Sequence, residues 1–435
     1  LKLSLEEAVE QALATSNLLE AERATVDARA ASRAEAETGR YPSLDLEASY
    51  MRMKEQDPAT IELPPPPQGP GTVTLGESME NAYSGTLSVR QPLFTGGEIA
   101  SRIEAADYAV AASRSSYDWE RRGLELEVRS AYWNLLRTEL RVKAIEERVL
   151  QVEANLENME RRRASGVVTR NEVLIVEMKL AEVRLQLLRA RNGRELASTR
   201  LALLTGLSPD RRLVPATSLP GAGAVSDAGS APGADPHAAD VPSLATLVEE
   251  AIANRGDLAE YRAQLRAARA GERSARAGWF PQLFLAGEYT YARPNQAIFP
   301  PDDTFESSWR VGIVGRIELG AMPRVYHETA RREAELTAVA ARLQAAEDRV
   351  RLAVREAYLS WRSYAEELEL ADTIVRQADE NLADTRTRVE NGVALNEDLL
   401  EAQATLLEAR LSVTSARIGA RIAWDRLMRE AGREL

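Results

Sequence analysis

The sequence contains no cysteine, only two histidines and few aromatic residues. Without cysteine the chain can form neither disulfides nor thiolate metal sites, and neither His237 nor His327 has a second histidine nearby. No run of about 18 apolar residues occurs, so no transmembrane helix is predicted. Phosphate-binding glycine loops and Ser-His-Asp sets are also missing. These absences predict that the protein is not an enzyme, has no catalytic residues and holds no metal or cofactor.

What the sequence does contain is charge, since Asp, Glu, Lys and Arg make up 28% of the residues. The dominance of Ala, Arg, Glu and Leu is typical of long helices and coiled coils. The formal net charge is −12 at pH 7, and the two signs are interleaved along the chain. Because nucleic-acid binding needs a clustered basic face, this pattern argues against a nucleic-acid partner.

One long amphipathic pattern organises the second half of the chain. Between Leu336 and Val389, apolar residues recur at alternating steps of four and three, and Glu347 is the only charged residue among them. A narrow apolar stripe on an otherwise polar helix is typical of a coiled coil. The pattern stops at Asn391-Gly392, where glycine can adopt the left-handed conformation that ends a helix. A second helix begins a few residues later.

The two halves of the chain are copies of one unit. At one constant offset, Tyr41-Pro42 aligns with Phe280-Pro281. At a second offset, Ala131-Tyr132 aligns with Ala357-Tyr358, and Gly166-Val167 with Gly392-Val393. A period this long indicates a duplicated domain rather than a solenoid repeat.

Each unit is predicted to contain a helix, two strands, a long helix, a turn and a further helix. The first repeat, with its elements, covers 1–207 (helix 4–38, strands about 43–53 and 84–93, helices about 98–165 and 170–205). Residues 208–242 are rich in Pro, Gly, Ala and Ser, which predicts a linker. The second repeat covers 243–435 (helix 243–277, strands about 282–292 and 307–319, helices about 322–390 and 396–430).

The four strands alternate apolar and polar residues, as in a membrane barrel with lipid outside and water inside. Four strands cannot close a barrel, because the smallest such barrels have about eight. Open strand edges are not tolerated in lipid, where their backbone groups would lack partners. If these strands span a membrane, several chains must therefore share one barrel.

The chain resembles the TolC family of bacterial outer-membrane channel proteins along essentially its whole length. The resemblance is carried by the order and duplication of six short motifs: Tyr41-Pro42-Ser43-Leu44, Phe280-Pro281-Gln282-Leu283, Gln91-Pro92-Leu93-Phe94-Thr95-Gly96-Gly97, Ala131-Tyr132-Trp133-Asn134-Leu135, Gly166-Val167-Val168-Thr169 and Gly392-Val393-Ala394-Leu395.

The resemblance implies a mainly α-helical protein with a membrane β-barrel portion. Three identical chains would each contribute four strands to one 12-stranded barrel in the outer membrane, with a long coiled-coil helical barrel in the periplasm. The segment 208–242 would contribute to a belt around the middle of that helical barrel. The sequence opens at Leu1 without a signal peptide, so we expect that such a peptide has been removed or omitted.

The resemblance also implies a function and partners. The family acts as passive exit ducts in tripartite efflux pumps and type I secretion systems. An inner-membrane pump of the RND, ABC or MFS type delivers the substrate, and a periplasmic adaptor docks on the helix tips of the channel. Here the tips are Gly166, Val167, Val168 and Thr169 in the first repeat, and Gly392, Val393, Ala394, Leu395 and Asn396 in the second. On the residues alone, both glycines are also helix C-caps.

Asp398 and Glu401 match the acidic rings that close the periplasmic end of such channels. They lie three residues apart and hence on one helix face. From the residues alone, a solvated helix N-terminus, where carboxylates are favoured, is the preferred interpretation, and the gate is what the resemblance implies. The family's arginine after the tip glycine is absent, since Ala394 stands there.

Two other classes of protein share part of this pattern. A soluble coiled-coil scaffold would not need four alternating strands at matched places in both halves. A periplasmic adaptor would use a single helical hairpin, whereas this chain has two hairpins and duplicated strand pairs. The sequence therefore favours the outer-membrane duct and leaves the transported substrate open.

Overall fold

Helices dominate the fold because the four-three spacing of apolar residues gives each helix one stripe to bury. The structure, a computed structural model, describes residues 1–54, 59–62, 72–75, 80–217, 242–299 and 302–435. The prediction of a mainly helical protein with a few strands is confirmed. The helices are α1 (Leu5–Thr15), α2 (Asn17–Thr38), α3 (Glu98–Ala164), α4 (Arg170–Leu204), α5 (Leu244–Asn254), α6 (Gly256–Arg276), α7 (Met322–Glu390) and α8 (Asn396–Glu430). The strands are β1 (Lys2–Leu3), β2 (Ser43–Arg52), β3 (Ala59–Glu62), β4 (Thr72–Leu75), β5 (Asn81–Phe94), β6 (Val214–Pro215), β7 (Gln282–Arg293) and β8 (Glu306–Arg316).

The first helix of each repeat is broken, although the sequence predicted continuous helices over 4–38 and 243–277. The breaks fall at Ser16 and Arg255, which occupy equivalent positions in the two repeats. Ser16 accepts a hydrogen bond from the N–H of Leu19 through its hydroxyl oxygen (3.3 Å). A side-chain cap of this kind starts a new helix and competes with continuation of the old one.

The chain divides into two compact units, and each is built from segments of both repeats. The first unit comprises Leu1–Thr25, Ser113–Glu260 and Leu343–Leu435. A buried cluster in this unit joins residues of α1, α2, α3, α4 and α8. Within it the hydroxyl of Tyr132 donates a hydrogen bond to the carbonyl oxygen of Leu3 (3.2 Å). This contact ties α3 to the short parallel pair formed by β1 and β6.

The second unit comprises Val26–Ala112 and Tyr261–Arg342. It contains a four-stranded antiparallel sheet in the order β2-β5-β7-β8. β5 ends at Phe94, next to the predicted bound near residue 93, and its pairing with β7 has a register irregularity between Pro92 and Phe94. Proline is tolerated at such an irregularity because the local ladder does not need its missing N–H. At the other edge β8 ends at Arg316, short of the predicted bound near residue 319.

β3 and β4, which the sequence did not predict, form a separate antiparallel pair. Of the predicted linker over 208–242, residues 218–241 lie outside the described residues.

Candidate functional site

The four-stranded sheet has two chemically different faces. Directly paired residues share a face, so the alternation along one strand is carried across all four. One such row is Leu46, Leu87, Tyr289 and Trp309. The neighbouring row on the opposite face is Glu47, Thr86, Thr290 and Ser308. The sheet therefore presents one apolar surface and one polar surface.

The apolar face is uncovered in a single chain. The side chains of Leu46 and Trp309 are both 78% exposed, and Val311 and Ile313 are nearly as open. Monomeric soluble proteins rarely leave a contiguous apolar surface of this kind in water. This face is suited to an apolar environment or an apolar partner.

The polar face is held together by cross-strand hydrogen bonds. Arg310 donates two hydrogen bonds to one carboxylate oxygen of Glu288 (3.0 and 2.5 Å). The hydroxyl oxygens of Ser49 and Ser84 are 2.8 Å apart, and those of Thr86 and Thr290 are 3.3 Å apart. This face is suited to contact with water.

Both edges of the sheet are open in the described part of the chain. β2 pairs only with β5, and β8 pairs only with β7. Each edge strand thus presents a row of backbone N–H and C=O groups without strand partners, which is a template for pairing with another chain.

The second candidate region is the pair of turns that join the long helices. After α3, Gly166 has a φ of 75°, which places it in the left-handed region that favours glycine. Its N–H donates to the carbonyl oxygen of Arg163, and the N–H of Val167 donates to that of Arg162 (both 2.9 Å). These two bonds form a Schellman motif, so the predicted C-cap role of Gly166 is confirmed.

The first turn then starts α4 with a reciprocal capping box. The Thr169 hydroxyl oxygen accepts the N–H of Glu172 (3.3 Å), and the Glu172 carboxylate accepts the N–H of Thr169 (2.6 Å). Hydrogen bonds from the backbone N–H and the hydroxyl of Thr169, followed by the charge of Arg162, hold the pKa of Glu172 below its usual value. A Thr-x-x-Glu pattern was visible in the sequence and predicts this cap.

The second turn repeats the Schellman motif and changes the cap. Gly392 has a φ of 72°, and the N–H of Val393 donates to the carbonyl oxygen of Arg388 (2.8 Å). Leu395 stands where the first turn has Thr169, and it offers no side-chain cap. Asp398 keeps its half of the box, because its carboxylate accepts the N–H of Leu395 (2.8 Å).

The predicted gate residues Asp398 and Glu401 are both exposed near the start of α8. The buried face of this helix begins with Leu400, Ala402 and Leu406, so the two carboxylates lie outside the packed interface. In a single chain they are a solvated pair, one of which caps a helix. Their role in closing a pore stays a prediction.

The two turns are brought together by apolar packing. Leu400 of α8 belongs to the same buried cluster as Met159 of α3 and Val173 of α4. The ends of both helical hairpins therefore lie side by side in the first unit. Of the predicted tip residues, Val167, Val393 and Leu395 are exposed.

Arg148 is buried close to this cluster, which no sequence pattern indicates. Its residue exposure is only 7%, and its neighbour Val149 is part of the cluster. Burial lowers the pKa of Arg148, while the charges of Glu182 on α4 and Glu408 on α8 act in the opposite direction. An arginine beside a stripe residue normally extends into solvent, so no pattern distinguished this one.

Neither a metal centre nor a membrane-spanning helix emerges from the residues that the structure describes. No group of three or more His, Asp or Glu residues among them could hold a metal ion. None of the helices there is both long and apolar enough to cross a membrane.

Comparison with known proteins adds a family match. Residues 8–207 and 247–433 match the model of a family described as outer membrane efflux protein. No curated protein sequence matches the chain at a significant level.

Several solved structures are similar in fold to this chain. The outer membrane protein VceC from Vibrio cholerae has a TM-score of 0.77 and 20% identity, covering 99% of this chain and 96% of its own. The CmeC outer membrane channel of Campylobacter jejuni has a TM-score of 0.77 and 17% identity, covering 98% and 85%. The open state of the MtrE outer membrane channel of Neisseria gonorrhoeae has a TM-score of 0.75 and 18% identity, covering 99% and 89%.

Proposed function

The chain belongs to the outer membrane efflux protein family, and from that membership we propose that it is the outer-membrane exit duct of a tripartite efflux pump or type I secretion system. In this role it conducts substrates passively from an inner-membrane pump and a periplasmic adaptor to the outside of the cell. It performs no chemistry on its cargo.

The observation that carries the proposal is the open-edged, two-faced sheet. β2 and β8 have 10 and 11 residues, and strands of about 9 to 11 residues cross a bilayer when tilted. The exposed apolar face, with Leu46 and Trp309, suits lipid, and the hydrogen-bonded polar face suits a wet lumen.

The open edges determine the assembly that we propose. Backbone groups at a sheet edge cannot stay unpaired in hydrocarbon, so β2 of one copy must pair with β8 of the next. Three copies contribute twelve strands and close a single barrel in the outer membrane. Two copies would reach only the smallest known barrel size, about eight strands, which leaves little room for a conducting lumen.

The helices of the first unit carry surfaces that support self-association. Large apolar side chains that are exposed in the single chain follow one another along α4 (Leu174, Met178, Leu185, Leu188, Leu196 and Leu203) and along α7 (Leu352, Leu359, Leu370 and Ile374). Buried between copies, these stripes would extend the trimer into a helical barrel in the periplasm.

The turns at Gly166–Thr169 and Gly392–Asn396 are the docking tips for the adaptor. Val167 and Val393 are exposed there on rigid Schellman turns, so a helical hairpin of the partner meets a preformed apolar contact. Asp398 and Glu401 form the periplasmic gate, where three copies bring six carboxylates towards one axis. The pump and adaptor select the cargo.

Conductance in planar lipid bilayers tests this function. The full chain, purified in detergent and added to one side, should give discrete channel openings with a conductance that scales with salt concentration. Heat-denatured protein at the same detergent concentration serves as the control. A preparation that stays in solution without detergent and gives no openings would contradict the duct.

A further inference from the structure

The duplicated turns have opposite charge. Residues 160–175 of the first turn and 386–401 of the second are equivalent at one constant offset, so Gly166 matches Gly392 and Glu172 matches Asp398. The first segment contains four arginines and two glutamates, and the second contains two arginines and four carboxylates. The backbone geometry is shared, as both Schellman motifs show, while the net charges are +2 and −2.

The difference arises at individual equivalent positions, and nearly all of them change in the same direction. Arg163 of the first turn corresponds to Val389 in the second, and Arg170 corresponds to Asn396. Three further positions, neutral in the first turn, are acidic in the second, where Glu390, Glu397 and Glu401 stand. Only residue 160, a glutamate matched by an arginine, goes the other way.

Ion pairs within the chain do not remove this difference in charge between the two turns. Arg161, Arg163 and Arg170 are exposed, and none of them has an ion pair with any residue that the structure describes. The carboxylate of Glu172 is already held by the Thr169 cap. The first turn therefore has arginines available for a partner.

The second turn shows the reverse. Its two arginines are already matched by carboxylates of their own helix, Arg386 with Glu390 (3.3 Å) and Arg388 with Asp384 (3.9 Å). On the α8 side Glu397 is exposed and has no cation partner among the described residues. Asp398 and Glu401, which we assign to the gate, add negative charge beside it. The second turn therefore presents unpaired negative charge to a partner.

The two turns do not neutralise each other within one chain. Leu400 packs against the first hairpin close by, yet in the part of the chain that is described no ion pair joins 160–175 to 386–401. Opposite charges held side by side without pairing are a surface to which a partner of complementary charge can bind.

We propose that the two turns are electrostatically distinct docking sites for the helical hairpin of the adaptor. The hairpin end that meets the first turn presents carboxylates, and the end that meets the second presents lysine or arginine. The exposed Val167 and Val393 supply the apolar contact at each turn, and the charges decide which hairpin end binds where. This inference rests on the proposed function and specifies the chemistry of its partner.

Photo-crosslinking of the full chain in detergent tests the assignment. Two variants carry benzoylphenylalanine at residue 167 or at residue 393. The probes are two synthetic helical hairpins that differ only at four residues beside their turn, which are glutamate in one and lysine in the other. The acidic probe should label position 167 about tenfold more than the basic probe does, and the basic probe should show the same excess at position 393. Both preferences should shrink as salt is raised from about 0.05 to 0.5 M.

A charge-reversed variant and a matched control complete the design. R161E/R163E/R170E should invert the preference at position 167 and leave that at position 393 unchanged. R23E/R29E/R114E makes the same change in net charge at exposed arginines of α2 and α3, and it should change neither preference.

The remaining outcomes contradict either the charge assignment or docking at the tips. Equal labelling by both probes, or a preference that salt does not weaken, overturns the charge assignment and leaves docking at the tips intact. No labelling at either turn by either probe, in protein that still forms channels, contradicts docking at the tips. A changed number of copies in R161E/R163E/R170E assigns the charges to contacts between copies and overturns the inference.

Discussion

The aromatic ring of Tyr364 on α7 occupies the space that a side chain at residue 419 on α8 would need. A Cβ added to Gly419 would lie 2.5 Å from Cε1 of Tyr364. The equivalent residue in the first repeat, Gly193 on α4, has no atom near enough to meet such a Cβ. The two glycines thus share a place in the repeat and differ in what surrounds them.

This contact predicts opposite effects of one substitution at equivalent positions. Gly419→Ala should destabilise the protein by about 1–3 kcal/mol, because an overpacked interface must shift α7 from α8. Gly193→Ala should stabilise it by up to about 1 kcal/mol, the usual gain of alanine over glycine inside a helix. Denaturant unfolding of the detergent-solubilised protein, followed by circular dichroism, measures both. Equal changes in the free energy of unfolding would show that the Tyr364 ring can move aside without destabilising the protein.

The first turn has a complete capping box and the second has only one half of it, so we predict opposite effects of one substitution at each turn. Thr169→Ala should raise amide hydrogen exchange at the start of α4 about fivefold, the factor that corresponds to a capping loss of about 1 kcal/mol. Leu395→Thr should slow exchange at the start of α8, because it completes a box with Asp398. Hydrogen-exchange mass spectrometry of peptides covering each turn measures both changes, and each turn is the control for the other. Unchanged exchange in both variants would show that the caps do not stabilise the first turns of α4 and α8.

The cap at the first turn also predicts a dependence on pH. The pKa of Glu172 is lowered by its hydrogen bonds to Thr169, so its contribution is fully present above the pKa of an unfolded glutamate. That contribution is lost as pH falls through the lowered, folded value. Protection at the start of α4, corrected for intrinsic exchange, should fall in acid. Glu172→Gln should remove the change, and persistence of the full change in that variant would contradict the assignment.

Sequence reasoning captured the features that depend on local pattern. The four-three spacing predicted the long helices, and the glycines at 166 and 392 were assigned the left-handed conformation that they adopt. It missed features that depend on tertiary contacts. α5 ends before Arg255 within a stretch predicted as one helix, and the buried guanidinium of Arg255 contacts Trp119 and Glu430, which are far away in the sequence. The pairing that we propose across the open edges depends on other copies, which no single chain contains.

The buried Arg255 predicts a large effect at the break between α5 and α6. Its guanidinium stacks on the ring of Trp119 (4.4 Å to the centroid) and forms ion pairs with Asp257 and Glu430. Burial alone would lower the pKa of Arg255, but the hydrogen bond to Asp257 and the charges of Glu430 and Asp257 outweigh burial and raise it. Arg255→Met should cost about 3 kcal/mol, because it removes one of the two arginines paired with the buried Glu430, the other being Arg429, and leaves Asp257 without this cation.

Two further variants separate charge from packing at this position. Arg255→Met/Glu430→Leu should recover part of the loss, since the buried carboxylate is removed with its partner while Arg429 loses its ion pair. Arg33→Met breaks an exposed ion pair with Asp107 on the helices of the second unit and should have little effect. All are measured by the same denaturant unfolding. A double variant no more stable than Arg255→Met would contradict the role of the ion pair.

The gate assignment predicts a change in ion selectivity. Asp398→Asn combined with Glu401→Gln should bring the cation-to-anion permeability ratio towards one and raise the open probability, because repelling carboxylates no longer collect cations at the axis. Asparagine at 398 still accepts the N–H of Leu395, so the helix cap is kept. Glu177→Gln, at an exposed carboxylate of α4, is the control in the same bilayer recordings. Unaltered selectivity would exclude both residues from the gate.

Disulfide cross-linking between β2 and β8 of different copies tests the shared barrel most directly. The chain has no cysteine, so introduced pairs are its only thiols. Glu47→Cys is combined in turn with Ser308→Cys, Arg310→Cys or Gly312→Cys on the same face. These strands are three steps apart within one chain, roughly 14 Å, beyond the reach of a disulfide. Thr86→Cys on the inner strand β5 replaces Glu47→Cys in the control.

We predict that at least one pair gives covalent dimers and trimers, with nothing larger, on a denaturing gel while the control stays monomeric. Monomers alone from every pair, or a ladder beyond three chains, would contradict a closed barrel of three copies.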